Sequence, residues 1–460
     1  MKSLLSGSFI AVFALAFTSA SGAETPFFIT VRDEASDRPV PLVELQTNDQ
    51  VRYVTDNLGV VAIADPELLG QEVFFDVKSH GYEFPADGFG MTGKRIKLIR
   101  GGRAEIKITR TNIAERMYRI TGGGRFVHSN RVGLEIPPFQ QGLRAGVLGC
   151  DSVLNAIYEG RLFWIWGDTK RLSYPLGNFH ATGATSDLPW NPENGIDLQY
   201  FEDGKGFVEP IAKMPGDGPT WLTGLTVLAH SDGKEHLGAM YQKVKNGLEI
   251  YETGLCEFNN ETGTFLKLFA FDADKKRKPL GHPFPYEDES GDKWIVYADP
   301  LPTMKIPASY EAWRDPSQYE PLETKSNFID AKGKQVEPHR GSLSWNHFRK
   351  QWVMIFCETR INEKNSGPSL LGEIWYAEAE TPFGPWNRCV KVMSHDQYSF
   401  YNPKQHPYFA DEGGRVIYFE GTYTATFSRA PLPTPRYDYN QILYRLDLDD
   451  ERLDYGKVNQ

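Results

Sequence analysis

The run Glu159-Gly-Arg-Leu-Phe-Trp-Ile-Trp-Gly-Asp168 is a tight turn followed by a strand that is apolar and aromatic at every position from Leu162 to Trp166. A strand with no polar face must be covered on both sides. Four more segments share its form: His236-Leu-Gly-Ala-Met-Tyr241, Lys293-Trp-Ile-Val-Tyr297, Gln351-Trp-Val-Met-Ile-Phe356 and Arg415-Val-Ile-Tyr-Phe419. Each follows a turn: Asp232-Gly233, Gly291-Asp292, Phe348-Arg349-Lys350 and Glu412-Gly413-Gly414. Before each turn lies another strand-like segment. A third strand of alternating polarity often follows, as in Leu248–Glu252, Glu373–Ala377 and Ile442–Leu446. An all-strand unit recurring every ~60 residues is the signature of propeller blades. Five units predict a five-bladed β-propeller over 125–460.

In a blade the first strand lines the central channel and the second returns beside it. The start of the first and the end of the second therefore open on one face. The first-strand starts are Asp151, Thr223, His282, Arg340 and His406; the second-strand ends are Asp168, Gln242, Asp299, Glu358 and Glu420. One end of the propeller is thus expected to gather carboxylates, an arginine and histidines around a wet cleft, because buried charges without partners or water are costly. Asp151 and Asp168 come from one blade and form the expected close pair. Paired carboxyl groups are what glycoside hydrolysis needs: one protonates the leaving oxygen while the other activates water or attacks the anomeric carbon. Mutual repulsion would raise one of their pKa values. Trp166, His180, Trp221, His282, Asp299, His339, Arg340, Glu358, His406, Glu420 and Tyr423 are the expected substrate-binding residues, with Trp221 and Tyr423 exposed for stacking on sugar faces. Structural readings stay open for Asp168 as a turn residue, for Asp151 as a partner of Arg340, and for an Arg340–Glu358 ion pair.

Upstream, residues 24–111 read as a small β-sandwich of seven short strands, Phe28–Arg32 and Val73–Val77 among them, separated by turns such as Asp56-Asn-Leu-Gly59. Residues 112–124 read as a linker, with one or two helical turns over Ile113–Tyr118 before Gly122-Gly-Gly124. Residues 1–23 read as a signal peptide: Lys2, an apolar core from Phe9 to Phe17, then Ser21-Gly-Ala23 as a cleavage site. The apolar core is shorter than the ~20 residues of a spanning helix. A secreted or periplasmic location follows, with no membrane span after cleavage.

The chain carries 50 Lys+Arg against 60 Asp+Glu, and its longest basic run is only Lys275–Lys278, so phosphate-dominated nucleic-acid binding is not expected. Cys150, Cys256, Cys357 and Cys389 are too scattered for a zinc site and are expected as buried thiols. A monomer is expected.

Two resemblances add to this reading. Thr55-Asp-Asn-Leu-Gly-Val-Val-Ala-Ile63 with Ser79-His-Gly-Tyr82 resembles the carboxypeptidase regulatory-like (prealbumin-like) modules of secreted proteins, which implies an accessory or docking role. Gly149-Cys-Asp151 with Leu162–Thr169, and Tyr401-Asn-Pro-Lys-Gln-His-Pro407 with Gly413–Phe419, resemble the first and last blades of the five-bladed propeller endo-D-arabinanases and their relatives. That resemblance implies an exported glycoside hydrolase acting on a polysaccharide such as D-arabinan, with Asp151 and Asp168 as its acid pair. It implies no cofactor, with a calcium ion in the channel as the open alternative. The extra sandwich and the segment Tyr174–Gly183 depart from the pattern and leave the sugar undetermined. A carbohydrate-binding propeller without catalysis, and a polysaccharide lyase using His339, His406 or Tyr423 as base, are the alternatives.

Overall fold

The structure is a computed structural model and describes residues 25–140, 142–188, 191–245, 248–272, 278–359 and 371–454. The expected signal peptide and the basic residues Lys275–Arg277 lie outside the described residues. No helix among the described residues is long and apolar enough to cross a membrane.

The chain is all-β: a five-bladed propeller preceded by a two-sheet sandwich. The blades begin with inner strands Val153–Tyr158, Thr220–Ala229, His282–Glu287, Pro338–Asn346 and Ser399–Gln405. Each inner strand pairs antiparallel with the apolar strand anticipated from the sequence, and that strand pairs outward with a third. The all-apolar second strands now have a cause. Alternate residues face opposite neighbours: Trp164 and Trp166 pack toward blade 5 with Tyr418 and Leu443, whereas Phe163 and Ile165 pack toward blade 2 with Ala239 and Tyr241. The same sharing fills the gaps between blades 2 and 3, 3 and 4, and 4 and 5.

The expected linker is not one. Glu115–Arg119 is the fourth strand of blade 5, pairing with Asn440–Asp447 from the other end of the propeller. The ring is therefore closed by a strand that precedes blade 1, which removes a free sheet edge. The charged, helix-compatible composition of this segment concealed its burial. Glu115 is satisfied by ion pairs with Arg38 and Arg445 at 3.4 and 3.1 Å. Arg116 is fully buried and donates to the carbonyls of Pro41, Leu42 and His80, to Ser79 Oγ and to the Tyr444 hydroxyl.

The sandwich stacks a sheet containing Val60–Ile63, Phe27–Asp33, Arg103–Arg110 and Tyr82–Glu83 on one containing Arg52–Val54, Glu44–Thr47, Glu72–Lys78 and Gly93–Lys97. Its core includes Ile29, Val31, Leu45, Phe75 and Ile106. The turn Thr55-Asp-Asn57 docks it on the propeller. The Thr55 carbonyl accepts from Tyr437, the Asp56 carboxyl accepts from Ser129 N and Oγ, and Asn57 exchanges two hydrogen bonds of 3.0 Å with the Arg119 backbone. His80 adds a contact of 2.9 Å between its Nε2 and the Tyr423 hydroxyl. The four cysteines are buried and unpaired.

Candidate active site

Asp151 and Asp168 meet at the mouth of blade 1. The Asp151 N–H donates to the Asp168 carbonyl at 2.9 Å, just beyond the last paired residues of the first and second strands. Gly167 permits this approach, since a Cβ there would lie 3.3 Å from Asp151 Cβ. Both aspartates are half-buried. A small sheet of Val147–Cys150, Thr169–Arg171 and Tyr174–Asn178 rises beside them, so part of the segment that departs from the arabinanase pattern walls the site.

The two carboxyl groups have different surroundings. Asp151 Oδ1 accepts from Ser152 N, Ser152 Oγ and the Tyr401 hydroxyl at 2.6, 2.7 and 2.7 Å, and Oδ2 accepts from the Tyr439 hydroxyl at 2.7 Å. Four donors thus converge on one carboxyl group. Asp168 accepts at Oδ1 from Trp221 Nε1 at 3.1 Å and also interacts with the Tyr439 hydroxyl. Burial, and next the charge of Asp151, push its pKa up to about 7, against the lowering effect of those two donors. Asp168 thus keeps a proton up to near neutrality beside a carboxyl group that accepts four hydrogen bonds.

Tyr401 and Tyr439 come from blade 5, Trp221 from blade 2. Tyr439 has a positive φ of 61° and Asn402, beside Tyr401, one of 51°. Such backbone is costly for residues other than glycine and clusters where side chains must be aimed. Lys170 lies 4.7 Å above the Tyr439 ring and pairs with Asp438 at 2.9 Å. Tyr439 and Asp438 were missed in the sequence because the Tyr437-Asp-Tyr-Asn440 segment precedes the third strand of its blade, outside the two positions expected to face the mouth. Tyr401 enters the sequence reading only as the first residue of the last-blade motif Tyr401–Pro407.

The other expected site residues divide into groups. Trp221 is half-buried beside Asp168, and it also donates to the Phe179 carbonyl at 3.1 Å. His180 follows Phe179, and its Nδ1 accepts from Thr220 N at 3.1 Å. Around the mouth of blades 3 and 4, Asp299 pairs with Arg340 and accepts from Gly341 N, so the partner of Arg340 is neither Asp151 nor Glu358. His339 is exposed next to it.

Five of the expected residues do not face the site. Trp166 is fully buried core, stacked on Trp164 at 6.0 Å. Tyr423 is also fully buried, stacked on Tyr398 at 4.0 Å beneath the sandwich. Glu358 turns away from the mouth to Lys334 and Trp375 Nε1, at 2.8 and 3.1 Å, because the next residue along a strand faces the opposite side. His406 and Glu420 lie in the channel, fully buried and 2.9 Å apart, unavailable to a polysaccharide. The burial of His406 and Tyr423 also removes two of the three bases that a lyase reading needs.

The channel cluster does not suit calcium. Calcium takes six to eight oxygen ligands. Here Glu420 faces the imidazole of His406 and the buried ammonium of Lys404, whose charge interacts with it. The His406 Nδ1 is occupied by the Asn155 amide at 3.0 Å. The cationic place next to Glu420 is already filled by a side chain.

An open groove of about 630 Å³ runs along the sandwich between Arg32, Leu58, Arg103 and Leu134.

No protein-family model and no curated protein matches the chain. Solved structures that align with it include an exo-1,5-alpha-L-arabinanase from a bovine ruminal metagenomic library (12% identity, 65% of this chain and 93% of that one, TM-score 0.38). Others are a GH43_1 enzyme from Xanthomonas citri complexed with xylose (8%, 66% and 87%, 0.36) and an N-acetylgalactosamine deacetylase from F. plautii (10%, 65% and 90%, 0.38). At these scores the likeness does not bear on activity.

Proposed function

We propose that the protein is an exported glycoside hydrolase that cleaves a polysaccharide, furanose-rich in the manner of D-arabinan, with Asp168 as general acid and Asp151 as the carboxylate partner. The observation that carries this reading is the unequal pair: one carboxyl supplied with four donors, its neighbour raised to about 7 by burial and by that charge. A proton donor with a pKa near the working pH is the most effective general acid. Asp168 would protonate the leaving oxygen, and Asp151 would meet the positive charge that develops at the anomeric carbon.

The Tyr439 hydroxyl, which donates to Asp151 Oδ2 at 2.7 Å, also acts on Asp168 and so ties the two groups together. Trp221 at the rim offers a half-open aromatic face for a sugar ring.

The test is release of reducing ends from a polysaccharide panel that includes D-arabinan, with proton NMR of the first product formed. Release by the wild type, and its loss in Asp151→Asn and Asp168→Asn, are expected. Tight binding to one glycan without release at high protein concentration would replace this reading with a non-catalytic one.

A further inference from the structure

The hairpins that join first to second strands lie on the propeller face opposite the acid pair. In blade 2 this hairpin reads His230-Ser-Asp-Gly-Lys-Glu-His236, between strands Thr220–Ala229 and Glu235–Lys245. The short helix Tyr310–Arg314 of blade 3 packs against it, with the Tyr310 ring stacked on His236 at 4.1 Å.

His236 is held as a metal-ligating imidazole is held. Its Nδ1 lies 2.6 Å from Glu257 Oε1, and the other oxygen of Glu257 accepts from the Tyr310 hydroxyl at 2.5 Å. A ring N–H donated to a fixed carboxylate leaves the lone pair on the other nitrogen and sets the ring's direction. That nitrogen, Nε2, is buried and has no hydrogen-bond partner. A buried polar atom without a partner costs roughly 1–3 kcal/mol.

His230 stands between two carboxyl groups. Its Nδ1 is 2.8 Å from Asp232 Oδ1 and accepts from Asp232 N at 3.3 Å, and its Nε2 is 3.3 Å from Glu311 Oε1. With the ring proton on Nε2, the Nδ1 lone pair lies beside the Asp232 carboxyl group. The ligand atoms offered by His230, Asp232 and His236 all lie within 4.8 Å of one another.

We propose that His230, Asp232 and His236 bind one divalent transition-metal ion of the zinc type. Two imidazoles and a carboxylate select such ions over calcium or magnesium, which prefer all-oxygen sets. The ion would pin the two sides of the blade 2 hairpin together, and Glu257 would act by orienting His236. This site is independent of the acid pair.

The experiment is calorimetric titration of the full chain, stripped with chelator, with zinc chloride at pH 7, and cobalt(II) absorption as a second readout. One zinc per chain is expected, with cobalt giving the visible bands of a low-coordinate nitrogen–oxygen site. His236→Gln and Asp232→Asn should each weaken binding at least about tenfold, and Glu257→Gln by about 10–100-fold. His347→Gln, which alters an exposed histidine elsewhere, should leave it unchanged. Asp232 is largely exposed at a turn, so its variant tests the site even if His236→Gln fails to fold. Absence of zinc binding up to about 1 mM, a range where even weak sites fill, would overturn the proposal. So would equal affinity in wild type and Asp232→Asn.

Discussion

Asp168 and Glu420 are both held above the ordinary carboxylate range by burial, to about 7 and about 8, yet they sit in opposite surroundings. Asp168 stands half-buried at the mouth, beside a second carboxyl group and under two polarised donors. Glu420 is sealed in the channel with Lys404 and with His406, whose Nε2 lies 2.9 Å from its Oε1. A raised pKa therefore does not by itself mark a reacting group. Access and an unequal partner distinguish a proton donor from a buried charge cluster that joins neighbouring strands.

The largest expected difference between the two is in turnover. Asp151→Asn and Asp168→Asn should each lower it by about 10³-fold or more, while their urea midpoints stay near that of the wild type. Glu420→Gln should do the reverse. It alters a fully buried group 2.9 Å from His406 Nε2, so the urea midpoint should fall while the folded fraction turns over normally. Turnover lost in Glu420→Gln at full folding would place the channel in the mechanism.

Stability against pH separates the two regions next. Asp168 has a folded pKa above its unfolded one, so its contribution is fully present below about pH 4 and is lost as pH rises through about 7. Asp168→Asn should flatten that decline in urea midpoints measured from pH 4 to 8. A decline of unchanged slope would mean that another group titrates there.

Smaller effects sharpen the site itself. Tyr439→Phe, which removes the hydroxyl shared by the pair, should cost about tenfold in turnover. Trp221→Phe deletes a donor that lowers the Asp168 pKa. It should move the alkaline limb of the rate profile upward, with only a few-fold change at the optimum. A downward shift would show that Trp221 acts through packing instead.

The same contrast explains what could be read from the chain. The blades were legible because both faces of every second strand are covered, which writes an unbroken apolar run such as Leu162–Trp166. Asp151 and Asp168 were legible because they flank that run. The closing strand Glu115–Arg119 was not, because its charges are satisfied by residues far away in sequence, Arg445, Tyr444 and the Leu42 carbonyl among them. Tyr423 was misread for a related reason: it ends a strand, but the sandwich covers it through His80. Glu358 was misread by one step of strand alternation. Tyr439 could be found only in three dimensions, since its hydroxyl reaches across from blade 5 to the mouth of blade 1.

The most direct measurement is the rate of polysaccharide cleavage by wild type and Asp168→Asn from pH 5 to 9. Protonated Asp168 as the acid predicts a wild-type rate that falls with loss of one proton near pH 7, and a far lower rate without that limb in the variant. An alkaline limb of the same position and slope in Asp168→Asn would contradict it.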